Sequence, residues 1–456
     1  MRRVLIANRG EIAARIIRTC RELHIETVLA TSAADRDSLP ARLADRTVCI
    51  GPPRPSESYL KIDTIVHAAL ATKSDAIHPG YGFLSERAAL ASLCEAEGLI
   101  FIGPTAAQIA AVGDKLRARS EAQAANVPVV PGSAVTSADE AMAAARVIGV
   151  PMLVKAVGGG GGRGMKRVDR LEDLAASLEL AAAEAGAAFG DARVYLERFI
   201  ASGRHVEVQV LGDGHGRVIH LGERDCSVQR RYQKLVEESP APGLSAARCQ
   251  ALQEAALRFA ARLSYRSAGT VEFLVDCERD AFYFLEMNAR IQVEHPVTEA
   301  VTGVDLIAEQ IAIADGAGLR LAQSDIHTRG CAIECRVNAE DPANDFRPSP
   351  GLVHEVAWPS QEGIRVDTHI ASGSTVPPFY DSLLAKIIAY GPDRASALAR
   401  LRRAIASTRV DGVRTNLSFL EAVLSDREFQ AGGFDTGFVA RLLERRAATT
   451  EPAHNG

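Results

Sequence analysis

Short apolar runs alternate with amphipathic segments over the first hundred residues of the chain. The runs VLIANRG, ETVLATSA, DAIHPG and LIFIGP have the length of buried strands, whereas EIAARIIRTCRELH repeats its apolar residues with the period of a helix. Strands that alternate with helices in this way are typical of a parallel α/β sheet. We therefore predict an α/β domain over residues 1–113.

The pattern changes after residue 113. The stretch DKLRARSEAQAANVPVVPG predicts a helix that runs into a proline-punctuated linker over 114–130. Residues 131–202 predict a small separate α/β unit, in which the strand PMLVKAV, a glycine turn and the returning strand MKRV precede an alanine-rich helix. Strands dominate residues 203–446, and the polar residues 447–456 are predicted to be a disordered tail.

Charge and composition argue against several classes of protein. The net charge is −5 over 456 residues, so nothing in the overall charge indicates nucleic acid. We find no apolar run of the roughly 18 residues that a membrane span requires, and no signal or transit peptide pattern at the start of the chain. None of the eight cysteines forms a CxxC pair, so we interpret Cys331 and Cys335 as buried thiols. We therefore expect a reducing, cytosolic compartment.

Five consecutive glycines (158–162) lie between Lys155 and Arg163. Residues 159–164 match GxGxxG, but a dinucleotide fingerprint opens a helix, and the MKRV that follows these glycines is predicted to be a strand. A Walker A loop is excluded because RGM stands where GK[ST] is required. Two interpretations stay open: a plain flexible hairpin, or a lid whose bare backbone N–H groups approach phosphate.

Polar residues recur at every second position in AFYFLEMNARIQVEH, which a short turn joins to GTVEFLVDC as a predicted antiparallel hairpin. In an extended chain such residues line one face. They are Glu286, Asn288, Arg290, Gln292 and Glu294. A solvated face is the alternative, but exposed strand faces usually carry threonine, lysine or serine. With Glu272 of the neighbouring strand, Glu286 and Asn288 make an all-oxygen set that suits Mg²⁺ or Mn²⁺ bound to nucleotide phosphates.

Arg224, Arg230, Arg231 and Lys234 form a basic cluster in ERDCSVQRRYQKLVEE. A run of this kind is most often a solvated face. Because a strand precedes it and acidic residues suited to a metal follow, a phosphate or bicarbonate subsite is the second interpretation.

Nine motifs that occur in order over residues 2–440 resemble those of biotin carboxylase, an ATP-grasp enzyme. They are IANRGEIA, HPGYGFLSE, GGGGGRGM, ERDCSVQRR, QKLVEE, EFLVD, EMNARIQVEHPVTE, ECRVNAEDP and VPPFYDSLLAKII. The resemblance implies an α/β (α+β) architecture of three domains. These are a Rossmann-like N-terminal domain, a mobile glycine-rich lid, and an ATP-grasp core with a C-terminal biotin carboxylase domain. It favours the lid interpretation of the glycines.

The resemblance also implies an ATP site with Mg²⁺ or Mn²⁺. The residues that it places around ATP are Lys115, Lys155, Gly161, Gly162, Glu197, Arg198, Phe199, Ile200, His205, Gln229, Tyr232, Glu272, Leu274 and Glu286. In this set Lys155 lies near the phosphates, the glycines offer backbone N–H groups, and residues 197–200 form the hinge on the adenine side. Glu272 and Glu286, assisted by Asn288, hold the metal.

A second implied set serves bicarbonate and carrier-bound biotin. Its members are Tyr81, Lys234, Arg290, Gln292, Val293, Glu294 and Arg336. Lys234, Arg290, Gln292 and the backbone of Val293 are implied to bind bicarbonate. Glu294 is implied to be the general base that deprotonates it. Arg336 stabilises the biotin enolate, and Tyr81 borders the biotin site. ATP converts bicarbonate to carboxyphosphate, which releases CO₂ beside biotin, and the cations of the site offset the negative charge of phosphoryl transfer.

The chain departs from the family pattern at two positions. Tyr232 stands where many members have histidine, which puts one nucleotide contact in doubt because a phenol does not become a cation near neutral pH. Arg198 stands where lysine is common. We also find no AMKM-like biotinylation segment and no carboxyltransferase region. We therefore expect a separate biotin carboxyl carrier protein and a separate carboxyltransferase subunit, and the resemblance implies a homodimer.

The leading hypothesis is the biotin carboxylase subunit of an acyl-CoA carboxylase, with acetyl-CoA as acceptor and fatty acid synthesis as the pathway. Another acyl-CoA or a 2-oxo acid remains an alternative acceptor. Two further hypotheses stay open: another ATP-grasp ligase that joins a carboxylate to an amine, and a nucleotide-binding scaffold without catalysis, for which Tyr232 is the only support.

Overall fold

The computed structural model describes residues 1–135, 137–158 and 165–450. In its N-terminal part the described strands form a parallel sheet in the order β3-β2-β1-β4-β5. The strands are β1 (Arg3–Ile6), β2 (Glu26–Ser32), β3 (Arg46–Gly51), β4 (Ala76–His78) and β5 (Ile100–Phe101). The helices are α1 (Gly10–Glu22), α2 (Leu39–Leu43), α3 (Ile62–Ala71), α4 (Ala88–Ala96) and α5 (Ala106–Gly113). The predicted parallel α/β sheet is confirmed.

The residues HPGYG form a tight turn at the carboxyl end of β4, an inner strand of this sheet. Gly80 has a φ of +61°, and a Cβ there would lie 2.8 Å from the amide nitrogen of Asn8. The Asn8 amide donates to the carbonyls of Pro79 and Tyr81, both at 2.7 Å. Glycine is therefore required for the turn that places Tyr81.

A separate unit follows helix α6 (Lys115–Ala124), whose N-cap Asp114 accepts a hydrogen bond from the backbone N–H of Arg117. Its described strands form an antiparallel sheet in the order β6-β9-β7-β8. The elements are β6 (Gly132–Ala134), α7 (Ala138–Ile148), β7 (Met152–Ala156), β8 (Met165–Val168), α8 (Leu174–Phe189) and β9 (Val194–Arg198). One apolar cluster, from Ala141 to Leu196, fills this unit. The predicted lid unit thus has its own core, while the glycines at 159–164 lie outside the described residues.

The rest of the described chain is built on one long sheet, in the order β14-β13-β10-β11-β12-β15-β22-β20, with antiparallel neighbours throughout. Its first half and helices are β10 (Gly203–Asp213), β11 (Val218–Arg230), β12 (Gln233–Ser239), α9 (Ala246–Arg262), β13 (Arg266–Asp276), β14 (Ala281–Asn288), α10 (His295–Thr302) and α11 (Leu306–Ala314). The later strands of this sheet are β15 (Cys331–Asn338), β20 (Ile364–Thr368) and β22 (Leu383–Gly391). Outside it, β16 (Glu340–Asp341) pairs with β17 (Arg347–Pro348), β18 (Gly351–Leu352) with β21 (Thr375–Val376), and β19 (Glu355–Ala357) with β23 (Arg409–Asp411). The last helices are α12 (Arg394–Ser407), α13 (Leu417–Ser425), α14 (Arg427–Ala431) and α15 (Phe438–Thr450).

The sequence prediction is wrong at the end of the acidic hairpin. Strand β14 stops at Asn288, and residues 289–294 are irregular until α10 begins at His295. The polar side chains of this segment bond to one another and to β13, and Pro296 in the first turn suits a helix start. The predicted strand was therefore too long, although the alternation of polar and apolar residues holds as far as Asn288.

The final helix corrects a second boundary. Helix α15 includes residues 447–450, which the sequence assigns to the tail, and residues 451–456 lie outside the described part. Phe438, Val439 and Leu442 of this helix are buried in the C-terminal core, which stabilises the helix through packing. Among the described residues, no helix combines the length and the hydrophobicity needed to cross a membrane.

Candidate active site

An ammonium group stands among three carboxylates on the large sheet. Lys234 Nζ lies 2.7 Å from Glu207 Oε2, 3.2 Å from Glu272 Oε1 and 2.5 Å from Glu294 Oε1. Burial by itself lowers the pKa of Lys234, but the surrounding acidic groups raise this pKa well above its ordinary value. Lys234 therefore stays positively charged at any working pH.

The Glu294 carboxylate bridges two cations. One oxygen contacts Lys234, and the other accepts a hydrogen bond from a terminal guanidinium nitrogen of Arg336 at 2.9 Å. Burial raises the pKa of Glu294, but Lys234, Arg336 and Arg224 together hold it well below its ordinary value. Glu294 is thus ionised at neutral pH, as a general base must be.

Glu237 holds the opposite side of Arg336. The Arg336 Nε donates to Glu237 Oε1 at 2.6 Å, and the two residues lie on the adjacent strands β15 and β12. Burial raises the pKa of Glu237 to about 7, and Arg336 opposes this rise. Arg336 is therefore fixed between two buried acidic side chains.

The irregular segment 289–294 is tied together by its own side chains. Arg290 donates to Gln292 Oε1 at 2.7 Å and to Asn288 Oδ1 at 2.8 Å, and its Nε donates to Glu86 at 2.9 Å. Gln292 donates to Glu272 Oε1 at 3.1 Å. The predicted polar residues are thus brought together, although by side-chain hydrogen bonds rather than by alternation along one strand.

The hairpin carries the predicted oxygen set for a metal ion. Glu272 and Glu286 are direct partners across β13 and β14, and the amide of Asn288 donates to Glu272 Oε1 at 2.9 Å. The Glu286 side chain is 31% exposed and accepts from Lys115 Nζ at 2.9 Å. Two carboxylates and an amide oxygen are ligand types that Mg²⁺ prefers, so the chemistry of this set fits a magnesium ion.

Two other groups of described residues have atoms close enough to share an ion. They are His205, Glu207 and Glu272, and Glu207, Cys226 and Glu294. Each group contains two of the carboxylates that Lys234 Nζ already contacts. The lysine ammonium already supplies positive charge to both groups.

Two nucleotide candidates, Lys155 and Glu197, contact each other in the predicted lid unit (residues 131–202). Lys155 Nζ donates to Glu197 at 2.7 Å, and Arg119 donates to the other oxygen at 3.2 Å. Burial lowers the pKa of Lys155, but Glu197 and Tyr195 together raise it by more, so this pKa lies above its ordinary value. The backbone N–H groups of Arg198 and Phe199 donate to the carbonyls of Pro131 and Pro151 at 2.9 and 3.2 Å. Ile200, which follows them, is buried.

The predicted hinge at residues 197–200 is therefore where the lid unit joins the large sheet. Gly161 and Gly162, the other lid candidates, lie outside the described residues.

Four further candidates spread from the buried cluster to the surface. His205 pairs in register with Leu274, and its Nε2 lies 3.0 Å from Glu272 Oε2. Burial lowers the pKa of His205, but Glu272 and Glu207 together raise it above its ordinary value. Gln229 lies opposite Lys234 across β11 and β12. Tyr232, in the turn between these strands, is 58% exposed, far more than the residues around Lys234.

The predicted basic cluster does not form one subsite. Arg224 is fully buried and donates to Glu207 Oε1 at 2.5 Å, beside Lys234. Arg230 and Arg231 instead pair with Asp345, away from this carboxylate. Arg224 lies in the middle of β11, whereas Arg230 ends this strand beyond two register shifts and Arg231 lies in the turn after it, so residues that are close in sequence are separated.

Sequence reasoning missed several acidic residues that hold the candidate side chains. They are Glu11, Glu86, Glu207 and Glu237. Glu207 lies in the apolar run VEVQV and is completely buried. A lone charge inside such a run signals a buried partner, because an unpaired charge is costly to bury. This signal could have identified Glu207.

Fold and site together define an ATP-grasp enzyme of the ligase class. Three family models match consecutive parts of the chain: the biotin carboxylase N-terminal domain over residues 1–109, the ATP-binding domain of the carbamoyl-phosphate synthase L chain over 114–322, and the biotin carboxylase C-terminal domain over 334–441. The chain belongs to the biotin carboxylase family.

Individual relatives agree with this assignment over almost the full length. A biotin carboxylase of Nostoc sp. is 49% identical over 96% of this chain and 99% of its own. A pyruvate carboxylase subunit of Methanothermobacter thermautotrophicus is 46% identical over 96% of this chain and 89% of its own. Among solved structures, the biotin carboxylase domain dimer of Hydrogenobacter thermophilus 2-oxoglutarate carboxylase, in complex with MgADP, ADP and bicarbonate, has a TM-score of 0.93. It is 44% identical, and the match covers 99% of both chains.

Proposed function

We propose that the protein uses ATP, a divalent cation and bicarbonate to carboxylate biotin presented by a separate biotin carboxyl carrier protein. The observation that carries the proposal is Glu294, a buried carboxylate held between Lys234 and Arg336. A carboxylate between two cations can accept a proton from bicarbonate while the same cations bind the anion that forms.

Arrival of bicarbonate would change the basicity of Glu294. Lys234 and Arg336 lower the pKa of Glu294, which makes it a weak base in the empty site. Bicarbonate bound by Lys234 and Arg290 competes with Glu294 for Lys234, and this competition raises the pKa of the base as the substrate enters. The planar guanidinium of Arg290 offers two parallel donors for an oxyanion of this shape.

The nucleotide binds between the lid unit and the hairpin in this proposal. Lys155 lies near the phosphates, and residues 197–200 face the adenine. Lys115, which contacts Glu286, offsets negative charge of the nucleotide. Glu272, Glu286 and Asn288 hold the metal, which when bound offsets phosphate charge during phosphoryl transfer. Closure of the lid excludes water from carboxyphosphate, and Arg336 then stabilises the biotin enolate, with Tyr81 at the border of the biotin site.

For the final acceptor we propose acetyl-CoA, which makes this chain the first-step subunit of a cytoplasmic acetyl-CoA carboxylase in fatty acid synthesis. Its partners are a second copy of this chain and a carboxyltransferase subunit. A 2-oxo acid is the second candidate, because relatives of similar identity include a 2-oxoglutarate carboxylase domain and a pyruvate carboxylase subunit. Transfer of labelled carboxyl from carrier-bound biotin to each acceptor, with the cognate carboxyltransferase, distinguishes the two.

The decisive experiment measures phosphate release from ATP and Mg²⁺, with and without bicarbonate and free biotin, in wild type and Glu294→Gln. We expect release that requires bicarbonate, rises with biotin, and falls by about 100-fold or more in the variant, since a general base contributes on the order of 10²–10⁴ in rate. Glu278→Gln, an exposed acidic position, is the control. Phosphate release at the same rate with and without bicarbonate would refute the proposed reaction.

A further inference from the structure

A buried lysine connects the segment that carries Glu294 to the rest of the molecule. Lys386 lies on β22, directly opposite Arg336 of β15, so the two side chains project from the same face of the sheet. Its side chain is completely buried, which is rare for lysine without a fixed partner.

Lys386 has two partners that come from different parts of the chain. Its Nζ donates to the backbone carbonyl of Val293 at 2.7 Å and lies 3.1 Å from Glu11 Oε1. Glu11 belongs to α1 of the N-terminal domain, and the hydroxyl of Tyr81 donates to the same Glu11 oxygen. The ammonium thus joins the C-terminal strands, the N-terminal domain and the irregular segment at one point.

The contact with Val293 bears directly on the base. The Val293 carbonyl is part of the planar peptide group that joins Val293 to Glu294. Holding this oxygen therefore fixes the plane that contains the backbone nitrogen and Cα of Glu294. Gln292 on one side bonds to Glu272, and Glu294 on the other bonds to Lys234 and Arg336. These contacts hold side chains, whereas Lys386 holds the backbone between them.

We infer that Lys386 is a positioning residue for the base and the bicarbonate site: it fixes residues 292–294 through the Val293 carbonyl, and Glu11 holds it in place. The inference rests on the proposed function. It predicts that loss of the ammonium impairs use of bicarbonate while ATP binding is preserved, because Lys386 bonds to Val293 and Glu11 and to none of the candidate nucleotide residues that the structure describes.

The test compares three variants of the full chain in the phosphate-release assay, with thermal melting as a parallel readout. In Lys386→Met the donor is lost and Glu11 is left without its cation. In Glu11→Gln with Lys386→Met both charges are removed, so stability is expected to recover, since a buried ion pair replaced as a whole is often tolerated. Arg394→Met is the matched control, because Arg394 pairs with the buried Glu238 and with the carbonyls of Phe429 and Gln430 instead.

We expect both Lys386 variants to lower kcat/KM for bicarbonate by about 10- to 100-fold, the effect of displacing a reacting group by about 1 Å, with KM for ATP within about threefold of wild type. Arg394→Met is expected to lower the melting temperature but not kcat/KM for bicarbonate. Activity that recovers with stability in the double variant, or equal activity losses in Lys386→Met and Arg394→Met, would overturn the inference.

The single variant Glu11→Gln keeps the Val293 contact and decides the case if the methionine variants do not fold. It is expected to lower kcat/KM for bicarbonate by about three- to tenfold with no change in KM for ATP, because the lysine loses the carboxylate that orients it. An unchanged value would contradict the inference. A wild type that releases phosphate without bicarbonate would instead refute the proposed function, so the two failures are distinguishable.

Discussion

Replacement of Glu207 by glutamine tests how the buried charges of the site support one another. Glu207 lies in the middle of β10 with no exposed surface, and it accepts from Arg224 Nε at 2.5 Å and from Lys234 Nζ at 2.7 Å. Glutamine has the same shape but no charge. Its single carbonyl oxygen can face only one of the two cations, and its NH₂ group must then face the other, donor against donor.

The cost of this change follows from the lost contacts. A hydrogen bond to a charged group contributes about 1.5–3 kcal/mol, and Glu207→Gln removes one such bond and weakens the second. Lys234 keeps Glu272 and Glu294, but Arg224 is left with the neutral acceptors Gln209, Thr270 and Thr298. Leaving a buried cation without its carboxylate costs about 3–5 kcal/mol. We therefore expect the free energy of unfolding to fall by about 3–5 kcal/mol.

Urea unfolding followed by the fluorescence of Trp358, the single tryptophan of the chain, measures this loss. The matched control is Glu238→Gln, because Glu238 is also buried but pairs with Arg394, which keeps two backbone carbonyls as partners. The control is expected to lose less than about 2 kcal/mol. If Glu207→Gln lies within about 1 kcal/mol of wild type, or loses no more than the control, the argument that Glu207 compensates both cations is refuted.

Two more predictions concern the Mg²⁺ requirement and the stability of the fold at acidic pH. Glu286→Gln removes one of two carboxylates from the oxygen set and is expected to raise the Mg²⁺ concentration at half-maximal phosphate release by about tenfold, whereas Glu278→Gln leaves it unchanged; equal requirements in both would contradict the metal assignment. Burial, assisted by Arg15, lowers the pKa of His78 to about 3, so in the unfolded chain, where the pKa is near 6.5, this residue binds a proton that the folded protein excludes. Stability from His78 is therefore complete above pH 6.5 and is lost as pH falls toward 3. Wild type should lose about 2 kcal/mol more than His78→Gln between pH 6.5 and pH 5 in urea titrations, and parallel pH profiles would exclude this origin.

The candidate chemistry could be predicted largely from local pattern. Alternation in EFLVD and FLEMN was enough to place Glu272, Glu286 and Asn288 on a hairpin, because strand periodicity depends on neighbours in sequence. The basic cluster shows the limit of the same reasoning. Lys234 and Arg231 are three positions apart, yet one lies in the buried cluster and the other at the surface. Only the pairing of β11 with β12 decides which side chain turns inward.

The sequence by itself determined the kinds of domain, the order of the motifs and the residue types that bear the chemistry, since these depend on periodicity and on the identity of side chains. The tertiary structure alone decided which acidic groups neutralise Lys234 and Arg336, where β14 ends, and that Lys386 reaches Val293 from 93 residues away. Such contacts arise when distant strands and helices close on one another. Their strength depends on burial in a low dielectric, which exists only once the chain has folded.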